Sequence, residues 1–194
     1  MILEWLNQIN IVIVQTDSER EAVRHIRKSV YCNELGWLKP ERVWDSYDHF
    51  AVILLVGSND RWGGTARILD PNRPFEMEEH FDLARYRSAG VCAEVGRLAV
   101  LPEYRGSLLA LALFHALFRF AISRKIQYYC AAAHPQNRLY TSLGFRVVGD
   151  EIIYPPVDAP AIPYVLDLED AQAEWRRKRP RLLSHFMQPI AGIG

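Results

Sequence analysis

The chain has 194 residues, 49% of them hydrophobic and 24% charged, which suits a single soluble domain with one core. Lys plus Arg and Asp plus Glu balance at 23 each, so no global basic field argues for nucleic acid, and no apolar run reaches the roughly 18 residues of a membrane span. Three scattered cysteines give no disulfide framework and point to a reducing, cytoplasmic setting, while the six histidines lack the spacing of a metal site.

The start of the chain carries Glu4 and no basic residue, unlike a signal peptide. β-Branched residues over 9–14 predict a first strand. Ser18 with Glu21 predicts a capping box, and Ala22, Ile26 and Val30, flanked by Val23 and Arg27, predict one apolar helix face ending at Gly36. Residues 37–49 read as a loop holding Asp45 and Asp48. The apolar run 51–57, a turn at Asn59-Asp60 and the run 62–69 predict two strands. Residues 71–90 read as a loop with a short helix near 77–86, and 91–100 as another strand. A helix over 107–124 is apolar almost all round, so it belongs deep in the protein. Residues 127–133 predict a strand, 137–143 a short helix stopped by Gly144, and 145–148 and 164–168 the last strands. From Glu169 onward a basic helix broken by Pro180 reads as a solvated surface element or as a dock for an acidic partner. The order of elements is that of a mixed α/β domain over 1–168, followed by a basic helix or tail over 169–194.

One join carries chemistry on physical grounds. A strand ends at Val100, a loop passes Arg105, Gly106 and Ser107, and an apolar helix begins. The first amides of a helix have no intrahelical acceptor and sit at the positive end of its dipole, so the turn suits a phosphate. It is equally the geometry of an ordinary strand-to-helix turn. Cys92 and Cys130 fall in strands and read as core residues. No Gly-x-Ser-x-Gly elbow supports a serine hydrolase.

The stretch EVGRLAVLPEYRGSLLALALFHALFRFA resembles the central motif of the GNAT acyltransferase superfamily through Val100, Pro102, Arg105 and Ala110, with Leu108 where the superfamily has glycine. HPQNRLYTSLGFRVVG is similar to a later motif of the same superfamily through Asn137, Tyr140, Leu143, Gly144 and Phe145. Further upstream, IRKSVYCNELGWLKPERVWDSYDHF, then Arg67, then Glu94-x-x-Arg97 resemble two groups within it, the N-acyl amino acid synthases and the acyl-homoserine-lactone synthases. The C-terminal part is closer to the first group.

The resemblance implies a GNAT fold, a mixed central sheet splayed into a V with helices on both faces. A pantetheine arm lies in the opening. Leu98, Val100, Arg105, Gly106, Ser107, Leu108 and Asn137 would bind the donor, an acyl-phosphopantetheine thioester on acyl carrier protein or CoA; no cofactor is held permanently. Leu108 in place of glycine favours the carrier protein as partner. Glu94 would assist loss of the amine's proton, and Tyr140 would protonate the leaving sulfur. Asp45, Asp48, Arg67 and Arg97 form the acceptor side: Asp45 and Asp48 would hold the acceptor's ammonium or else cap their own loop, and Arg67 would bind an acceptor carboxylate or, the favoured reading, pair with Asp45 or Asp48 to fix the loop. Glu94 and Arg97, three apart on a strand, start on opposite faces unless a bulge intervenes. Trp37, Trp44, Phe114 and Phe118 are candidates to line an acyl tunnel. The reading is an N-acyltransferase joining a medium or long acyl chain to an amino acid. The alternatives are an acyl-homoserine-lactone synthase using S-adenosylmethionine, an acetyltransferase, and a non-catalytic acyl-carrier-binding domain.

Overall fold

The computed structural model describes residues 9–58, 61–106 and 108–193; the expected turn at Asn59-Asp60 and the expected donor contact of Ser107 lie outside the described residues. β1 (Ile9–Ile13) is followed by α1 (Asp17–Arg27), which runs on into a π-helical segment, Lys28–Glu34. Ser18 and Glu21 do not cap α1. Thr16 does: its hydroxyl accepts the Glu19 amide at 3.2 Å, and Glu19 Oε2 accepts the amides of Gln15 and Thr16 at 2.7 and 2.9 Å. The earlier box wins because it sets both Asp17 and Glu19 in the first turn, at the positive end of the dipole. Thr16→Ala is therefore expected to lower stability by about 1 kcal/mol. Urea unfolding should show a lower midpoint with an unchanged slope, and Ser18→Ala should leave it in place.

Two 3-10 turns, Pro40–Arg42 and Ser46–His49, lead to β2 (Val52–Ser58) and β3 (Arg61–Leu69). A 3-10 turn at Met77–Glu79 and α2 (Ala84–Ala89) precede β4 (Cys92–Val100), α3 (Leu109–Arg124) and β5 (Tyr128–Ala133). Then come α4 (Arg138–Ser142), β6 (Arg146–Val147), β7 (Ile152–Tyr154), β8 (Ala159–Asp167), α5 (Leu168–Lys178) and α6 (Pro180–Phe186). The short strand β7 had no sequence expectation; a three-residue strand carries too few positions to show alternation.

The strand order is β1-β2-β3-β4-β5-β8-β6, with β7 also on β8. All pairs are antiparallel except β4 with β5. Alternation along β2 divides the core. Ile53 and Leu55 pack with Val23 and Ile26 of α1, whereas Leu54 and Val56 pack with Leu109 and Leu113 of α3. Helices thus cover both faces.

α3 is apolar almost all round because it is also covered from outside. Phe118 meets Trp175 of α5 and Phe186 of α6, each with ring centroids 5.6 Å apart. The segment from 169 is therefore more than a solvated tail. Leu168, Ala171, Trp175, Leu183, Phe186 and Ile193 join the main core, and Arg176, Arg177, Lys178, Arg179 and Arg181 occupy only its exposed side. Among the described residues no helix is long and apolar enough to cross a membrane.

Two irregularities shape the middle of the sheet. β4 and β5 pair only at Cys92↔Tyr128, Ala93↔Tyr129 and Glu94↔Cys130. Beyond that point β4 stays with β3 and β5 with β8, so the sheet opens into a V. The buried thiols of Cys92 and Cys130, 3.0 Å apart, lie in the closed part. The second irregularity is on β4 itself. Thr65 faces Ala99 while Arg67 faces Gly96, so Arg97 and Leu98 share a single partner position. Arg97 adopts φ 51° there, a β-bulge.

Candidate active site

The bulge resets the alternation of β4. Glu94 and Arg97 now lie on one face, the face under α1, together with Arg67 of β3. Burying such groups in an apolar core is unfavourable unless each finds partners, and here they find one another. Arg67 Nη1 donates to both oxygens of Asp45 at 2.9 and 3.0 Å, and its Nη2 donates to Glu76 at 2.5 Å. Arg97 Nη2 donates to Asp45 and to Glu76, both at 2.8 Å. Arg27 Nη1 donates to Asp48 at 2.8 Å and to the Val43 carbonyl at 3.0 Å. Arg27, Arg67 and Asp48 side chains are 0% exposed.

Asp45 and Asp48 also cap the 3-10 turn Ser46–His49: Asp45 Oδ1 accepts the Tyr47 amide and Asp48 Oδ2 the Asp45 amide, each at 2.9 Å. Burial would raise the Asp45 carboxyl, but Arg67 and Arg97 outweigh it and hold the group below its ordinary value. Arg67 makes the pairing with Asp45 that was favoured for it, Asp45 and Asp48 cap their loop, and none of the three lines the cavity, so acceptor contact falls to Arg97 of that set.

Glu94 differs from the other carboxylates. Its Oε2 accepts the Met77 amide at 3.0 Å, and among the described residues no donor reaches Oε1. Burial pushes its pKa up to about 7; Arg67 opposes this and Glu76 adds to it. A carboxyl poised there exchanges protons near neutrality, as a general base requires.

The splay of β4 from β5 makes a cavity of about 200 Å³. Glu94, Arg97, Leu98, Asn137 and Tyr140 all line it, so the structure brings these five expected residues together. Tyr140 is wedged among Phe114, Phe145 and Tyr164, and burial raises its pKa, which keeps the hydroxyl protonated. Asn137 is the N-cap of α4, its Oδ1 accepting the Leu139 amide at 3.1 Å.

Val100, Arg105, Gly106 and Leu108 lie beyond this cavity, at the start of α3. Arg105 does not offer the free charge expected of it. It grips Glu34 at 2.5 and 2.6 Å and donates to the Val100 carbonyl at 3.2 Å. Leu108, the N-cap of α3, has no polar side chain to offer, and beyond the immediate chain neighbours no described atom lies within 4 Å of where a Cβ on Gly106, at φ 77°, would stand. Of the tunnel candidates only Trp37 reaches the cavity, stacked on His134 at 5.4 Å. Trp44 lies under Arg24 and Arg27, Phe114 stands behind Tyr140, and Phe118 is deep core.

The cavity also holds residues that the sequence did not single out. Glu76, His134 and Tyr154 line it. Arg27 had a signal, a charge on the apolar stripe of a helix. Glu76 and Tyr154 sit in turn-rich segments without periodicity and had none.

The family model described as N-acyl amino acid synthase FeeM matches residues 22–167. Among solved structures, FeeM, an N-acyl amino acid synthase from uncultured soil microbes, is similar at TM-score 0.74 and 23% identity, over 85% of this chain and 93% of that one. The CoA-dependent acyl-homoserine lactone synthase BjaI, solved with SAM and isopentyl-CoA, is similar at 0.68 and 23%, over 94% and 90%. The AHL synthase LasI is similar at 0.61 and 20%, over 82% and 89%. These likenesses show the fold. Comparison with curated proteins finds no match.

Proposed function

Because the chain belongs to the N-acyl amino acid synthase FeeM family and is an acyltransferase, we propose that it joins a medium or long acyl chain, carried as a pantetheine thioester, to the amine of an amino acid. The observation that carries this reading is the cavity at the splay of β4 and β5, which Glu94, with a pKa of about 7, lines together with Tyr140. In the proposed reaction the arm enters between the two strands. Glu94 takes a proton from the amine, directly or through a water. The free amine attacks the thioester carbonyl, the C–S bond breaks, Tyr140 gives its proton to the leaving sulfur, and the second proton shed by the nitrogen returns Tyr140 to its neutral form through water. Val30, Leu35, Trp37, Leu98 and Val157 give the acyl chain an apolar wall, where each buried methylene contributes about 0.8 kcal/mol.

The donor phosphate would rest on Gly106 and the first turn of α3, with Arg105 exchanging Glu34 for it. Acyl carrier protein remains the donor we favour. Leu108 puts a side chain where the superfamily has glycine, and the exposed basic side of α5 and α6 offers charge to an acidic carrier. BjaI was solved with isopentyl-CoA, so the same acyl group must be tested on both carriers.

The test is to express the chain in a bacterium, extract cells and medium, and assay the purified protein with acyl-carrier and acyl-CoA donors. Masses of a fatty acid joined to an amino acid are expected. Transfer from the carrier protein should weaken with salt, since the screening length is about 8 Å at physiological strength. Products that fragment to a homoserine-lactone ring, formed only with S-adenosylmethionine, would replace this reading with that of an acyl-homoserine-lactone synthase. Thioester binding without turnover on any amine would reduce the chain to an acyl-carrier-binding domain.

A further inference from the structure

Two residues of the cavity wall carry buried donors with no hydrogen-bond partner among the described residues. The Tyr154 hydroxyl is buried without a hydrogen bond, and so are Nε and Nη1 of Arg97, although Nη2 of the same guanidinium serves both Asp45 and Glu76. Both residues line the cavity that holds Glu94. Buried donors left unmet are rare in native proteins, and packing keeps both residues beside the cavity. The Tyr154 ring packs against Phe81 at 5.9 Å and edge-on to His80 at 5.3 Å. Arg97 is fixed by the bulge and by two carboxylates. Burial keeps the Tyr154 hydroxyl protonated, so it is a donor.

We propose that Arg97 Nη1 and the Tyr154 hydroxyl together form the subsite for the acceptor's carboxylate, so that the enzyme selects free α-amino acids over amines that lack that group. The proposal rests on the amino-acid reading given above and adds the residues that make the selection. An α-amino acid enters as a zwitterion, and this wall offers both poles: Glu94 for the ammonium, then Arg97 and Tyr154 for the carboxylate. Arg67 cannot take that role, since its Nη atoms are committed to Asp45 and Glu76. Neither free donor is open to bulk solvent. Contact with the ligand needs the side-chain adjustments that commonly accompany binding. A site built to hydrogen-bond one group rejects analogues lacking it, because its buried donors then stay unmet.

The test compares an accepted amino acid with its primary amide and its decarboxylated amine, on one acyl donor, in the parent and in Tyr154→Phe. The parent should strongly prefer the acid. The variant should lose about 10- to 100-fold in kcat/KM for the acid, mostly through KM, because hydrogen bonds to charged groups are the strong ones. Its loss on the amide, whose neutral carbonyl accepts more weakly, should be smaller, and its loss on the decarboxylated amine, which offers the hydroxyl no acceptor, smaller still. Without acceptor the variant should melt no lower than the parent, since among the described residues the hydroxyl has no hydrogen-bond partner to lose. The amino acid should raise the melting temperature of the parent and not that of the variant.

A parent that acylates acid and amide equally, or a variant with an unchanged acid-to-amide ratio, overturns the subsite and leaves amine acylation standing. A variant that melts lower and loses both substrates in proportion assigns Tyr154 a packing role and also overturns it. If the parent acylates no amine at all, the proposed function fails and the subsite falls with it.

Discussion

Glu94→Gln is expected to turn over roughly 10²- to 10⁴-fold more slowly than the parent, with donor affinity little changed. Gln keeps the shape of the side chain and can still accept the Met77 amide, but it has no base to offer. The pH dependence separates this role from a structural one. In the parent, kcat/KM should rise as pH climbs through about 7, where Glu94 loses its proton, and then level off. That limb should vanish in the variant. Any limb at higher pH that comes from the amine's own ionisation should remain in both proteins.

Stability should move the other way. The folded value of about 7 lies above the ordinary glutamate value of 4.5, so the folded chain binds the extra proton between them. The contribution of this group to stability is complete below 4.5 and is lost as pH rises through 7. Gln carries no such penalty, and the variant should melt no lower than the parent at pH 8. A variant within twofold of the parent at neutral pH, or one that keeps the limb near 7, would remove Glu94 from the chemistry.

Much of this site was legible before any coordinates because motif spacing survives in the chain. Glu94 and Arg97 stood out as a pair, and the need for a bulge between them followed from strand alternation alone. The order of elements followed from periodicity, and the apolar ring around α3 announced a buried helix. What covers α3 was less legible. Leu168, Ala171 and Trp175 hide an apolar stripe among basic residues, so charge count suggested solvent where packing chose the core. Arg105 misled for a related reason. Its position in the motif promised charge to a phosphate, but Glu34, 71 positions away, supplies a carboxylate that no local pattern connects to it. Glu76 and Tyr154 were invisible in the same way. Their meaning comes from the splay of β4 and β5, which gathers side chains from turns far apart in sequence.

Arg67→Ala is expected to cost about 3–5 kcal/mol of stability, the usual consequence of removing one partner from a buried ion pair. At roughly 2–4 °C per kcal/mol for a chain of this size, the melting temperature should fall by about 10 °C. The reason is local charge. Arg27, Arg67 and Arg97 stand among Asp45, Asp48, Glu76 and Glu94, and Arg67 alone touches Asp45 twice and Glu76 once while lying 3.7 Å from Asp48. Without it those carboxylates keep only Arg97 and Arg27, and water entering the vacated space brings no compensating charge. Arg67→Lys should recover part of the loss, since a single ammonium supplies the charge but not the fork that reaches two carboxylates at once. The pH dependence has a definite sign. The Asp45 carboxyl, lowered by Arg67 and Arg97 against its burial, contributes stability that is present above its ordinary value of 3.8 and lost as pH falls through its lower folded value. Removing Arg67 raises that folded value, so the parent and Arg67→Ala should differ most near neutrality and converge in acid. A double variant, Arg67→Met with Glu76→Gln, should lose less than the sum of its single changes, because each removes the partner whose absence makes the other costly. Melting curves that differ by less than 1 °C, or by the same amount at every pH, would mean that Arg97 alone organises the carboxylates and that the cluster tolerates an uncompensated charge.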